Sequence, residues 1–323
     1  MQIIDAHAHI LDRSWVPGPV RYAWARQAGG RRVDPKPIEQ TLANVMRGQS
    51  DPDGVLTVAA FRSAGVSSGV FPFVDWSMIG GGDPEAPTMA EVLRHVEGVA
   101  ATHEGLFWYL TGVDPRSPVA RDSLAALENR HCIGVKLYPA AGWDISDPAH
   151  HWVLDEITER GVPIMVHTSP LGGDPLVTPL SRPAALVPAI ARYPEQTWVF
   201  AHAGFEAWWL EAVDLAQGWR GTVLDISMWQ RVANRDYADF RRRMALVLER
   251  VGAHRVLFGS DIMRGERSDP DGRVLREWID RMVALGEPYE GAPPVCSREE
   301  LELMMCGNAQ RIYGLGRVDG NDG

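Results

Sequence analysis

Cysteine is scarce. Three residues in 323, Cys132, Cys296 and Cys306, stand far apart without a CxxC pair. That usage counts against a disulfide framework and suits reduced thiols in the cytoplasm. Long apolar runs are missing too: none approaches the roughly 18–20 residues of a membrane span. The opening MQIIDAHAHI lacks the basic head and unbroken apolar stretch of a signal peptide. Positive charge is in deficit, with 32 Lys+Arg against 42 Asp+Glu and a net charge of −10. Neither nucleic acid nor an anionic membrane is therefore expected as a general partner. No G-x-G-x-x-G follows the first apolar run, which counts against a doubly wound dinucleotide fold. There is no internal repeat and no low-complexity block.

What is present suits a folded enzyme. Hydrophobic residues make up 45% and charged residues 23%, enough apolar material for a sizeable core. Eight short apolar runs recur: QIIDAHAHI, GVFPFVD, LFWYLTGVD, CIGVKLYP, VPIMVHTSP, TWVFAHAG, GTVLDISMW and RVLFGSD. Each ends in a polar or Gly/Pro turn signal, as a buried strand does. Helical segments such as DSLAALENR, FEAWWLEAVDLAQG and YADFRRRMALVLERVG lie between them. The alternation predicts right-handed βαβ units closing into a (β/α)₈ TIM barrel. One domain over 1–315 is expected, with GRVDGNDG at 316–323 as a disordered tail. Two connections, 11–69 and 263–297, are long enough to suggest functional loops.

The first run places His7 and His9 at alternate positions. Side chains alternate along a strand, so both imidazoles share one face, while Ile4, Ala6, Ala8 and Ile10 turn to the helices. Two imidazoles on one face can converge on a metal ion, although a hydrogen-bonded structural pair would give the same motif. The ends of later runs weigh toward metal. The fifth ends in His167, the sixth in His202 and the eighth in Asp261. Barrel active sites form at the C-terminal ends of strands, and four histidines with a carboxylate are the donors of a catalytic zinc site. The other histidines, His95, His103, His131, His150, His151 and His254, fall in helices or turns and read as surface residues.

On these residues the chain resembles the amidohydrolase superfamily. It is most similar in pattern to the branch containing aminocarboxymuconate-semialdehyde decarboxylase and related amidohydrolase 2 enzymes. The likeness runs from DAHAHI to GNAQRIYGL. It implies metal ligation by His7, His9, His167 and Asp261, with His202 as a catalytic histidine or second-metal ligand. One divalent ion, Zn²⁺ first, is the expectation. The alternative is two ions (Zn, Mn or Fe) bridged by Lys136, which ends the fourth run and is carboxylated in binuclear relatives. A homodimer, or a partner subunit of the same family, is the expected assembly.

A divalent ion would bring the pKa of a bound water toward about 7. Asp261 is then the expected proton acceptor and donor, and His202 the expected partner of the developing oxyanion. Hydrolysis of a C–N or C–O bond in a cyclic amide, lactone or ester is the first reading. Non-oxidative decarboxylation of an unsaturated or aromatic acid uses the same residues and stays open. A redox-active Fe/Mn pair and a non-catalytic subunit are the remaining alternatives. Trp76, Trp143 and Trp229 follow strand ends and suit a small, flat, partly apolar substrate. Arg182 is the candidate fork for a substrate carboxylate, with Arg231 and Arg264 as others.

Overall fold

A computed structural model describes residues 1–315, except 31, 32, 35, 83, 84, 171, 172 and 270. The expected tail at 316–323 lies outside the described residues. The strands, in chain order, are β1 (Ile4–Asp5), β2 (Ala8–His9), β3 (Ser68–Pro72), β4 (Phe107–Val113), β5 (Cys132–Leu137), β6 (Ile164–His167), β7 (Trp198–Ala201), β8 (Thr222–Asp225), β9 (Val256–Leu257) and β10 (Ile262–Met263). Eight of them form one parallel sheet in the order β1-β3-β4-β5-β6-β7-β8-β9. The Ala6 N–H donates to the Phe258 carbonyl at 2.9 Å, which joins the last strand's end to the first. A second ladder, β2 with β10, pairs Ala8 with Ile262 and His9 with Met263. The result is a (β/α)₈ barrel.

The lumen is filled by apolar side chains from seven strands, among them Ile4, Val70, Leu110, Met165, Val199, Val223 and Leu257. Cys306, Ala309 and Tyr313, near the C-terminus, pack into the same cluster. The helix-facing core is larger and aromatic, with Phe71 and Phe107 stacked 3.9 Å apart. Helix Met89–Thr102 shows how the outer layer is specified. Val92, Leu93, Val96, Val99 and Ala100 recur at helical spacing and are buried. Its start is fixed by a capping box between Thr88 and Glu91, worth about 1 kcal/mol.

Two expectations change. The long connections carry helices: Gly18–Gly30, Ile38–Arg47 and Val55–Ala64 in the first, Arg273–Val283 in the second. The first run is not one strand. Asp5 Oδ1 accepts from the His7 N–H (3.2 Å) and the Ser260 N–H (2.9 Å), and the chain bends at residues 6 and 7. The alternation slips there. Ile4 and Ala6 face the lumen rather than the helices, whereas Ala8 and Ile10 join the helix-side core. The bend lets His7 follow Ala6 inward, with His9 beside it.

Candidate metal centre

Strand ends deliver the cluster. His7 sits at the bend, His9 ends β2, His167 ends β6, His202 follows β7, and Asp261 precedes β10. All five, with Lys136, line one cavity of ≈ 220 Å³. His7 Nε2 is 3.2 Å from His9 Nε2 and 3.6 Å from Asp261 Oδ1, and His9 Nε2 is 3.1 Å from Asp261 Oδ1. Two ligands at about 2.0–2.1 Å from one ion, at octahedral to tetrahedral angles, stand about 2.8–3.4 Å apart. Ligand atoms of His7, His202 and Asp261 also lie within 4.8 Å of one another. The His202 ring stacks on His7 at 4.9 Å and meets His167 edge-on at 5.0 Å.

Two residues the sequence reading passed over set the tautomers. Asp225 ends β8, fully buried, with Oδ2 2.5 Å from His7 Nδ1. Ser227 donates its hydroxyl to Asp225 Oδ2 at 2.8 Å, and Asp225 Oδ1 accepts the Ser227 N–H at 2.8 Å. The one serine proton is thus used, so at 2.8 Å Ser227 Oγ accepts from His202 Nδ1–H. His7 and His202 then carry their protons on Nδ1 and present bare Nε2 lone pairs, as metal-ligating histidines with hydrogen-bonded outer partners do. A proton on Nδ1 leaves none on Nε2 for an oxyanion, so His202 fits a ligand or acceptor role better than the donor role expected of it. The signal for Asp225 was legible: Asp-x-Ser ends the seventh run with the same alternate spacing as His-x-His.

Charge and burial agree with this donor set. Burial pushes His167 and His202 well below the ordinary imidazole value, and His7 below it against the pull of Asp225. Burial alone would raise the Asp261 carboxyl. His202, the His9 hydrogen bond and His7 outweigh it and hold the group below the carboxylate range. Burial thus favours neutral His7, His167 and His202 beside an ionised Asp261. His167 Nε2 is buried without a hydrogen-bond partner, a state costing about 1–3 kcal/mol that a metal ion would relieve. Burial pulls Lys136 down to about 8, against Asp225 and Asp261, so its neutral amine, the form a carboxylation requires, is accessible.

The backbone is strained here. His202, Ala203, Phe205, Met228 and Asp261 all have positive φ, from 40° to 68°, each costing about 1–3 kcal/mol in a non-glycine residue. The Asp261 N–H is held by the His7 carbonyl at 2.7 Å.

The substrate-binding expectations divide. Trp76 lines the cavity with Tyr138 and Arg231. Trp229 stands behind it, its indole N–H donating to the His202 carbonyl at 3.0 Å, so it positions rather than touches. Trp143 is buried against His150, away from the cavity lining. Arg182 is surface-paired with Glu211 at 2.8 Å and also lies off the lining. Position after a strand end does not determine which way a side chain turns.

Residues 4–315 match a family model described as Amidohydrolase, and the chain belongs to that family. No curated protein matches it in sequence. Solved structures share the fold. A candidate 2-pyrone-4,6-dicarboxylic acid hydrolase from Pseudomonas putida is 18% identical, with TM-score 0.59 over 98% of each chain. The 5-carboxyvanillate decarboxylase of Sphingomonas paucimobilis is 16% identical, with TM-score 0.62 over 97% of this chain and 99% of that one. That of Novosphingobium aromaticivorans, complexed with manganese and 4-hydroxy-3-methoxy-5-nitrobenzoic acid, is 13% identical, with TM-score 0.65 over 97% and 96%. Among the described residues no helix is long and apolar enough to cross a membrane.

Proposed function

We propose that the chain is a metal-dependent hydrolase that cleaves a C–N or C–O bond in a small, flat, carboxylated lactone, ester or cyclic amide. The observation that carries this reading is the convergence, within 4.8 Å, of ligand atoms from buried His7 and His202 and half-buried Asp261, with an ionised carboxylate beside neutral His7 and His202. His7, His9, His167 and Asp261 would hold one divalent ion, Zn²⁺ first, with His202 available as a further ligand. When bound, such an ion supplies a water acidified toward a pKa of about 7 and a polarised carbonyl. Asp261 accepts the proton as water attacks and returns it to the leaving group. Asp225 and Ser227 keep His7 and His202 in the ligating tautomer. Lys136 and Arg231 give the cavity positive charge for a substrate carboxylate, and Trp76 and Tyr138 give it flat apolar walls.

That same pairing of cations with aromatic walls also favours a second reading, non-oxidative decarboxylation of a carboxylated ring, the reaction named for two of the structures above. The test sets carbon dioxide release from carboxylated phenols beside ring opening of carboxylated lactones and cyclic amides, all with metal-loaded protein. Ring opening without carbon dioxide supports the hydrolase. Carbon dioxide release alone replaces it with the lyase.

A further inference from the structure

With protons on Nδ1, His7 and His202 offer the cavity only lone pairs at Nε2. The oxygen of an attacked carbonyl needs a hydrogen bond from elsewhere. Lys136 and Arg231 are cations and suit a substrate carboxylate. Gln27 and Gln49 enter from the long first connection rather than from a strand end. Tyr138 is the one hydroxyl-bearing residue among the described residues that line the cavity. It stands one residue beyond β5, two after Lys136, and both side chains reach the same lining. The His167 ring lies 4.6 Å from the Tyr138 ring, and the Trp76 ring meets it edge-on at 5.3 Å. Tyr138 is 6% exposed. Its hydroxyl bonds to no described residue, yet it is not sealed in the protein as the partnerless Tyr313 hydroxyl is. The turn that follows is tied down. The Tyr138 carbonyl accepts the Ala141 N–H at 2.9 Å, and Arg116 donates to the Ala141 and Gly142 carbonyls at 3.0 and 2.9 Å. Arg116 is itself held by Asp114 at 2.7 and 2.9 Å.

A fixed phenol beside a candidate metal ligand, with no protein acceptor, is a preorganised donor. We propose that Tyr138 is a catalytic residue whose hydroxyl donates to the substrate's carbonyl oxygen and stabilises the negative charge that gathers there. The assignment rests on the reading of this cavity as a hydrolase site. A phenol is protonated at neutral pH, and burial, then the Asp261 carboxylate, push this one further up. As the water oxygen bonds to the carbonyl carbon, the C=O π pair moves onto oxygen and the water proton passes to Asp261. The Tyr138 proton stays on its own oxygen and is shared in the hydrogen bond. That bond strengthens as charge grows, so it acts on the transition state more than on the bound substrate.

The probe is phenylphosphonate, whose tetrahedral anionic head resembles an attacked carbonyl and whose ring suits the flat walls. Isothermal titration calorimetry measures its binding to the full chain and to Tyr138→Phe, each loaded with Zn²⁺ and each after chelation. The native protein should bind the probe. Tyr138→Phe should bind it more weakly by about tenfold or more, the worth of one hydrogen bond to an anion, at equal metal content. Because the hydroxyl has no protein partner, the variant free of metal and probe should melt within about 2 °C of the native protein. A smaller loss of affinity overturns the proposal, and so does a native protein that does not bind the probe. A larger fall in melting temperature, or a variant that does not fold, assigns the hydroxyl to the fold and overturns it too. Failure of the hydrolase reading shows separately, as carbon dioxide release or as native protein that takes up no Zn²⁺. The probe ratio is read from the same proteins either way.

Discussion

Asp225→Asn is a near-isosteric change whose consequences follow from hydrogen-bond counting. Asp225 has two oxygens and receives four bonds here: His7 Nδ1, the Ser227 hydroxyl and the His202 N–H on Oδ2, and the Ser227 N–H on Oδ1. Asparagine offers one oxygen and one NH₂. If its oxygen faces the Ser227 N–H, the amide faces His7 Nδ1 and drives the proton to Nε2, the atom that would bind metal. If its oxygen faces His7, the amide opposes the Ser227 N–H donor. In the first case the amide also opposes the His202 N–H, and in the second the Ser227 N–H, so one donor meets another inside the protein, at about 1–3 kcal/mol. Loss of such an outer partner weakens metal binding about 10–100-fold, or about 1.4–2.8 kcal/mol. Competition against a chromogenic chelator measures the affinity, and thermal melting of the metal-free protein reads the fold. Metal affinity within about twofold of the native protein would refute this role for Asp225.

Three further perturbations test other parts of the site. Replacing both His7 and His9 by Ala should lower bound metal to background by elemental analysis while circular dichroism stays native, because the barrel core supplies most of the stability. Asp261→Asn should cut kcat about 10²–10⁴-fold at matched metal occupancy, with a much smaller loss of metal; unchanged kcat would remove Asp261 from proton transfer. Lys136 is held at about 8 by burial, against 10.5 ordinarily. Between those values the unfolded chain keeps a proton the folded one has lost, so stability from this residue rises with pH across that window. In metal-free protein, urea unfolding should show Lys136→Met losing that rise, on the order of 1–3 kcal/mol; identical pH slopes would contradict it.

The barrel was legible because its strands are short apolar runs with turn signals, and the sheet keeps that count. The helix Gly18–Gly30 was not, since GPVRYAWARQAGG has three glycines and no apolar stripe and takes its order from packing. The break after Asp5 was hidden for a related reason. An acidic residue in an apolar run reads as a polar interruption, whereas its carboxylate bridges His7 and Ser260 across the closure of the barrel. Histidines at strand ends signal a site by their type alone. Asp225 and Ser227 do not, because their role lies in which imidazole nitrogen they hold. Trp143 and Trp229 follow strand ends as Trp76 does, yet only Trp76 lines the cavity. The turn geometry that separates them is tertiary.

X-ray absorption on protein purified without chelators, with metal content measured on the same sample, tests the metal centre most directly. The expected spectrum shows one divalent ion per chain, a nitrogen and oxygen shell at about 2.0–2.2 Å, and outer scattering from imidazole rings. Protein that is metal-free and refuses added Zn²⁺, or an ion held in a sulfur shell near 2.3 Å, would contradict ligation by His7, His9, His167 and Asp261.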